Sequence, residues 1–184
     1  SGLTSATTYD LYVRANCSVT EQSNWSDVVT FTTECDIVSA FPYNEGFENP
    51  ILPECWSQEY LSGTENWRIY NGTGTGSSLS NAYAGSYNAH FASYNYNENS
   101  SRLISPIFDL TQLSEPTLTF WYAIPNWDDT TDELNIYYRT SATGSWQLLI
   151  SHTEAVNTWT LDSLLLPNPS SYYQLAFEAK SNYG

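Results

Sequence analysis

Apolar and polar positions alternate along several short stretches of the chain, which is the pattern of β-strands that bury one face. The alternation is cleanest in residues 8–15, 134–139 and 173–179. Further strands are predicted from apolar or aromatic runs at residues 28–33, 83–96, 103–110, 118–123, 146–150 and 158–161. Short strands with a turn roughly every 8–12 residues are typical of a β-sandwich or jelly roll. We therefore predict an all-β fold.

The composition agrees with this fold and limits the expected partners. The 184 residues carry a formal net charge of −15, and 16% of the side chains are aromatic. Disordered acidic chains are poor in aromatic residues, so this chain is predicted to fold. A large negative charge repels nucleic-acid phosphates and anionic lipids, so we expect neither as a partner. The composition is typical of a secreted or cell-surface protein with a polar surface.

The apolar runs and the cysteines indicate where in or outside the cell the protein is expected to function. No apolar run approaches the roughly 20 residues of a membrane span, so no membrane insertion is expected. Cys17, Cys35 and Cys55 lack the spacing of a zinc site. In an exported protein one pair is expected to form a disulfide, and the sequence leaves the choice of pair open. Because Ser1 opens into strand-like sequence without a signal peptide, we expect a piece of a longer protein.

Residues 1–35 contain two predicted strands, which cannot bury a core by themselves. The region places Leu3, Tyr9, Trp25 and Phe31 at a recognisable spacing. In this pattern it resembles the last two strands of a fibronectin type III domain. With Cys17 and Cys35 it is similar to the version found in large surface proteins of the Bacteroidetes, in which Thr-Thr-x-Cys closes the domain. The resemblance implies part of an immunoglobulin-like sandwich, with Leu3 and Tyr9 in a tyrosine corner.

The rest of the chain carries a different set of motifs. They are Glu45-Gly46-Phe47-Glu48, Leu52-Pro53-x-Cys55-Trp56, Asn66-Trp67, Leu103-Ile104-Ser105-Pro106, Leu118-Thr119-Phe120-Trp121-Tyr122 and Tyr173-x-Leu175-Ala176-Phe177. In order and spacing these motifs resemble the MAM domain and its bacterial relative, the cleaved-adhesin domain. The resemblance implies a jelly-roll β-sandwich over residues 41–184 that lacks its last strand. Residues 36–40 would then be a linker after the partial fibronectin type III sandwich.

Candidate catalytic groups are few. Hydrolytic chemistry requires a nucleophile with a base, or a pair of tuned carboxylates. The two histidines, His90 and His152, belong to no catalytic motif, and Cys55 stands in one of the motifs that carry the resemblance. We predict that the protein has no catalytic residues and is not an enzyme.

A structural calcium ion is implied by the family resemblance. Jelly rolls of the MAM and cleaved-adhesin type hold a cation near the join of their first and last strands, and calcium prefers carboxylate, amide and carbonyl oxygens. Carried over to this chain, the resemblance assigns the ligand roles to Glu48, Glu65 and Asn88. The alternative is that the two glutamates are ordinary surface carboxylates.

Aromatic residues supply candidate ligand-binding positions, because tryptophan and tyrosine faces stack on sugar rings. A small β core also consumes aromatic side chains, so half of the positions are expected to point inward. Core positions are predicted for Trp56, Trp67, Phe120, Trp121 and Phe177. The predicted surface ligand-binding residues are Tyr94, Tyr96 and Trp127, together with Asp128 and Asp129. The last three belong to an acidic loop at residues 126–133. That loop is interpreted as a solvated turn, with a metal loop as the alternative.

Two functions remain compatible with the sequence. One is a non-catalytic adhesion or interaction module of a large secreted or cell-surface bacterial protein, which would bind other proteins or surface glycans beside neighbouring domains of the same chain. The other is a carbohydrate-binding accessory module of a secreted hydrolase or protease. The resemblance to Bacteroidetes surface proteins implies export by the type IX secretion system.

Overall fold

The computed structural model describes residues 2–18, 20–73, 79–93, 98–126 and 130–182. Within these residues the regular secondary structure is entirely β, in eleven strands. The strands are β1 Thr8–Leu11, β2 Val29–Thr32, β3 Ser57–Ser62, β4 Arg68–Asn71, β5 Tyr87–His90, β6 Ser100–Ile104, β7 Thr117–Ile124, β8 Glu133–Arg139, β9 Gln147–His152, β10 Val156–Leu165 and β11 Gln174–Lys180. They fall into two compact units, Ser1–Asp36 and Ile37–Gly184.

The first unit is a two-stranded antiparallel sheet of β1 and β2, in which Tyr9 stands opposite Phe31. The two rings stack with their centroids 6.0 Å apart. The hydroxyl of Tyr9 accepts a hydrogen bond of 2.7 Å from the backbone N–H of Thr4, which is the type of contact that defines a tyrosine corner. None of the described residues in this unit is buried, in line with the expectation for two strands. Membership of the fibronectin type III family stays a prediction.

The second unit is built on an antiparallel five-stranded sheet in the order β3-β6-β11-β8-β9. β11 lies at its centre and pairs with β6 and with β8. One face of β11 points into the sandwich through Leu175 and Phe177, as the sequence alternation predicts. The other face carries Glu178, whose carboxylate lies 2.8 Å from the guanidinium of Arg102.

The second layer of the sandwich consists of two separate strand pairs. β7 pairs with β10, and β4 pairs with β5, in both cases antiparallel. Each of these four strands has a second edge, and no strand among the described residues pairs with that edge of β4, β5, β7 or β10. The predicted absence of a final strand stays a prediction.

Two apolar clusters hold the layers together. In one, Ile136 from β8 is fully buried beside Ile124 and Leu134, with aromatic side chains such as Phe120 and Phe177 packed around them. The other is centred on buried residues near the ends of the strands, namely Phe108, Leu110, Leu166, Tyr173 and Leu175. Burial of this aliphatic and aromatic surface is the main stabilising term of such a fold. The predicted all-β, jelly-roll sandwich is confirmed.

Some local predictions differ from the structure. β3 was not predicted, because five of its six residues are exposed and the strand therefore shows no apolar face. Val38, which lies in the predicted linker, forms a bridge with Phe108 and donates its N–H to the carbonyl of Ile107 at 2.8 Å. Trp121, predicted in the core, is 40% exposed, because it alternates with the inward-facing Phe120 and Tyr122.

The cysteine question left open by the sequence has an answer. Cys35 and Cys55 are disulfide-bonded, whereas Cys17 is an exposed free thiol. Disulfides persist in oxidising compartments such as the periplasm or the extracellular space. No helix in the described part of the chain has the length and apolar character that crossing a bilayer requires.

Candidate functional site

A cavity of about 540 Å³ lies between the two layers, beside the second edges of β5 and β7. Its walls include residues 87–91 and 119–125, and its apolar floor includes Leu103, Leu134 and Phe177 of the five-stranded sheet. Pockets of roughly 300–1,000 Å³ are the size that small ligands use. The cavity is therefore large enough for a ligand, and it opens beside exposed aromatic side chains.

Three aromatic side chains, Tyr83, Trp121 and Trp159, form what we call the aromatic platform. The ring of Tyr83 lies almost parallel to that of Trp121, with centroids 3.8 Å apart and 15° between the planes. Trp159 meets Tyr83 edge-on, with centroids 6.4 Å apart. Its indole N–H donates a 2.9 Å hydrogen bond to the backbone carbonyl of Asn81. Tyr83 remains 49% exposed, so the platform presents an aromatic surface that is held in place from behind.

Four carboxylates also line the cavity: Glu45, Glu48, Asp132 and Glu133. Each is engaged by neighbouring groups. Glu45 accepts the N–H of Phe47 at 2.7 Å, and Asp132 accepts the N–H of Asn182 at 2.8 Å. A hydrogen bond from the Asn182 side chain, assisted by Lys180, lowers the pKa of Glu133. These side chains therefore have structural partners within the described residues.

The predicted metal ligands occupy three different environments. Glu48 accepts the N–H of Ser86 at 2.9 Å, and Gly85 beside it has a φ of +64°, a backbone conformation that favours glycine. Asn88 lines the same cavity and donates its side-chain N–H to the carbonyl of Gly72. Glu65 forms an ion pair of 3.2 Å with Arg68.

The donor chemistry of these residues does not by itself build a calcium site. Among the described residues no group of three or more histidine, cysteine or acidic side chains is placed to hold a metal ion. The structure brings Glu48 and Asn88 to one cavity, whereas the carboxylate of Glu65 pairs with the guanidinium of Arg68. Calcium binding stays a prediction.

The five predicted ligand-binding residues lie outside the described residues. They are Tyr94, Tyr96, Trp127, Asp128 and Asp129. The aromatic platform was not predicted as a unit, because its members come from three separate parts of the chain. The alternation of β7 was a usable signal, since it places Trp121 on the face opposite to Phe120.

The histidines are enclosed by aromatic and charged neighbours. His90 on β5 stands opposite Arg68 on β4, and burial, with a smaller contribution from the charge of Arg68, lowers its pKa. The Nε2 atom of His152 lies 3.0 Å from a carboxylate oxygen of Asp162. Its ring packs 4.3 Å from that of Tyr122. Burial, with a smaller contribution from Asp162, raises the pKa of the Tyr122 hydroxyl.

The fold of this chain is similar to that of solved structures. One solved structure that it resembles is the K3 cleaved adhesin domain of Lys-gingipain from Porphyromonas gingivalis W83, at 21% sequence identity and a TM-score of 0.54. The match covers 76% of this chain and 94% of that one. It shows that this chain shares the fold of that domain over the matched part.

A second similar structure comes from work on the promiscuous specificity of carbohydrate-binding modules of the β-sandwich superfamily. It is 14% identical with a TM-score of 0.48, and the match covers 95% of this chain and 68% of that one. Among curated proteins no sequence matches this chain.

The sequence itself identifies the family. The model of the MAM domain, described by the names meprin, A5 and mu, matches residues 46–184. This range is most of the chain and nearly all of the second unit. The protein belongs to the MAM domain family.

Proposed function

We propose that this chain is a non-catalytic adhesion or interaction module of a secreted or cell-surface protein. Membership of the MAM family and the disulfide-bonded Cys35 and Cys55 support an extracellular location. The formal net charge of −15 supports a partner that is neither a nucleic acid nor an anionic membrane.

The observation that carries this proposal is the aromatic platform. Tyrosine and tryptophan provide large contact areas and lose little conformational entropy on binding, and they are therefore enriched at recognition surfaces. Tyr83 is already immobilised against Trp121, so a partner does not have to order it. An exposed, supported aromatic cluster beside a cavity is suited to binding.

The environments of the histidines support a binding role over catalysis. A general base needs access to the proton that it removes. His152 instead faces Asp162 and the rings of Tyr122 and Phe120, and His90 packs against Tyr70 with ring centroids 5.4 Å apart. Both histidines therefore have packing roles that account for their presence.

A carbohydrate-binding accessory module of a secreted hydrolase or protease is the second candidate. The aromatic platform favours it as well, because sugar rings stack on flat aromatic faces. An adhesion or interaction module would use the platform to contact a protein or a glycan. A carbohydrate-binding module would use it to contact a glycan only.

A cell-binding assay tests the proposal. Fluorescently labelled protein is incubated with intact bacterial and animal cells, some of them pretreated with trypsin and others with periodate, which destroys sugar rings. We expect saturable binding. Tyr83→Ala should weaken it by about tenfold, which corresponds to a loss of about 1.4 kcal/mol in binding free energy.

The matched control is Tyr60→Ala, because Tyr60 is an exposed tyrosine of the five-stranded sheet with 54% exposure. Binding by this variant should equal that of the unmodified protein. Loss of binding after trypsin alone identifies a protein partner, and loss after periodate identifies a glycan. Absence of saturable binding to every cell surface would contradict the proposal.

A further inference from the structure

A second cavity is lined by residues that lie on both sides of Tyr83 in the chain, and it differs from the aromatic platform in chemistry. It has a volume of about 540 Å³. Its lining residues are Tyr70, Asn71, Gly72, Thr73, Leu79, Ser80, Asn81, Ala82, Gly85 and Ser86. None of them carries a formal charge, and amide and hydroxyl side chains are prominent among them. We call this the polar pocket.

Residues 79–86 connect the polar pocket to the aromatic platform. Asn81 lines the pocket, and its backbone carbonyl accepts the indole N–H of Trp159 at 2.9 Å. Tyr83 follows two residues later and stacks on Trp121. The pocket and the platform are therefore held in fixed proximity by one short segment and one hydrogen bond.

The side chains of the pocket are suited to hydroxyl groups. Asparagine amides and serine hydroxyls can both donate and accept hydrogen bonds, as the hydroxyls of a sugar do. The amide of Asn81 donates to the hydroxyl of Ser80 at 3.1 Å, which fixes both side chains at the pocket. Recognition sites with a flat aromatic surface and a few placed polar groups are typical for small polar ligands.

We propose that the polar pocket and the outer face of Tyr83 together bind one sugar ring of an uncharged glycan. The ring stacks on Tyr83, and its hydroxyls form hydrogen bonds with Asn71, Ser80, Asn81 and Ser86. This inference rests on the proposed function as an interaction module and specifies its ligand class and its site.

Charge selects the class of glycan. Among the described residues, the pocket lining offers no cationic side chain to a sulfate or a carboxylate, and the whole chain repels anions through its net charge of −15. Nearby Glu48 adds to this repulsion, since its carboxylate contacts the backbone N–H of Ser86 at the edge of the pocket. Sialylated and sulfated glycans therefore bind more weakly than neutral ones.

Preorganisation makes the site effective despite its small contact area. The ring of Tyr83 is backed by Trp121 and flanked by the edge of Trp159. Ligand binding therefore immobilises no additional aromatic side chain, which removes one of the main entropic costs of association.

The test is a calorimetric titration with neutral oligosaccharides, namely gluco-, manno- and xylo-hexaoses, and with sialyllactose and heparin fragments as anionic probes. We expect at least one neutral probe to bind and the anionic probes not to bind. Tyr83→Ala should weaken that binding by about tenfold, while Tyr83→Phe, which keeps the ring, should stay within about twofold. Tyr60→Ala is the control for loss of an exposed ring elsewhere.

A second pair of variants covers the polar half of the site. Asn71→Ala and Ser86→Ala remove side-chain hydrogen-bonding groups and leave the aromatic platform intact, so each should weaken binding even if Tyr83→Ala fails to fold. Binding that none of these variants changes would overturn the site. Preference for anionic probes, or no binding to any neutral probe, would overturn the ligand class. In those cases, saturable binding to cells would still support the interaction module, whereas absence of saturable binding to every cell surface would also remove the proposed function.

Discussion

Tyr83 and Trp121 lie face to face with their ring centroids 3.8 Å apart, although 38 positions separate them in the chain. Trp121 belongs to a regular strand, whereas Tyr83 belongs to the segment that precedes β5. A rigid strand thus supports an aromatic ring on a loop. This arrangement combines a fixed surface with loop residues that can carry specificity.

The contact between Tyr83 and Trp121 should be measurable as a coupling energy. Stacked aromatic pairs contribute about 0.5–1.5 kcal/mol beyond the burial of their area. We expect a double-mutant cycle with Tyr83→Ala and Trp121→Ala, followed by urea unfolding, to give a coupling in that range. The same cycle with Tyr60→Ala in place of Tyr83→Ala should give a value near zero. Equal couplings in the two cycles would argue against a specific stack.

Ile136 should be a major determinant of stability, because its side chain is 0% exposed at the centre of the sandwich. Truncation to alanine leaves a cavity, and such changes typically cost about 2–5 kcal/mol. Chemical denaturation of Ile136→Ala should show this loss in the free energy of unfolding. Leu165→Ala is the matched control, since Leu165 is 64% exposed, and its effect should stay within about 0.5 kcal/mol.

His90 should make the fold less stable in weak acid. Its pKa in the folded state lies below its ordinary value of 6.5, since burial and, to a smaller degree, Arg68 disfavour the charged ring. The unfolded chain therefore takes up the proton first, and stability decreases as the pH falls below about 6.5. Unfolding free energies measured between about pH 8 and pH 5 should show this slope.

The variant His90→Asn should reduce that slope, because it removes the titrating group. Glu133→Gln serves as a comparison: the pKa of Glu133 is lowered from 4.5, chiefly by the hydrogen bond from Asn182. The stability that this carboxylate contributes is present above pH 4.5 and is lost at more acidic values. An unchanged slope above pH 5 in His90→Asn would show that another group titrates there.

The cysteine assignment predicts a simple alkylation result. Of the three cysteines, Cys17 is the free thiol, and Cys35 and Cys55 are disulfide-bonded. Iodoacetamide applied without reductant should therefore add one group, which peptide mass spectrometry should locate at Cys17. After reduction under denaturing conditions three groups should be added. Modification of Cys35 or Cys55 in the unreduced protein would contradict the assignment.

The calcium prediction can be tested by thermal melting in EDTA and in millimolar calcium. A cation that binds the folded state raises the melting temperature. If Glu48 and Asn88 contribute ligands, Glu48→Gln should abolish this increase. Glu65→Gln should retain it, because Glu65 is engaged with Arg68 at 3.2 Å. Equal melting temperatures in the two buffers would contradict the prediction that this chain binds calcium.

The clearest sequence patterns correspond to the best-placed strands. Residues 134–139 and 173–179 alternate regularly, and they match β8 and β11 to within about one residue, as expected where one face is buried. β3 escaped prediction because an edge strand with exposed side chains carries no such pattern. The sequence could not reveal that Tyr83 reaches Trp121, since this contact depends on the packing of two remote segments.

The candidate site was less predictable than the fold. Glu48 and Glu65 look alike in the sequence as acidic residues beside aromatic ones, yet one caps the backbone at Ser86 and the other pairs with Arg68. Which group each carboxylate contacts depends on the residues that the fold brings close to it, and in the case of Glu48 the partner lies far away in the chain. A resemblance can suggest that a residue is a ligand, but it does not show which partner the folded chain supplies.

The divided second layer has a consequence for how the molecule behaves in concentrated solution. In the described part of the chain, β5 and β7 each carry an edge to which no further strand is hydrogen-bonded, and both edges border the same cavity. Such edges attract any extended backbone, including that of a neighbouring molecule. An extended segment of a neighbouring molecule that added to either edge would therefore also lie over the cavity.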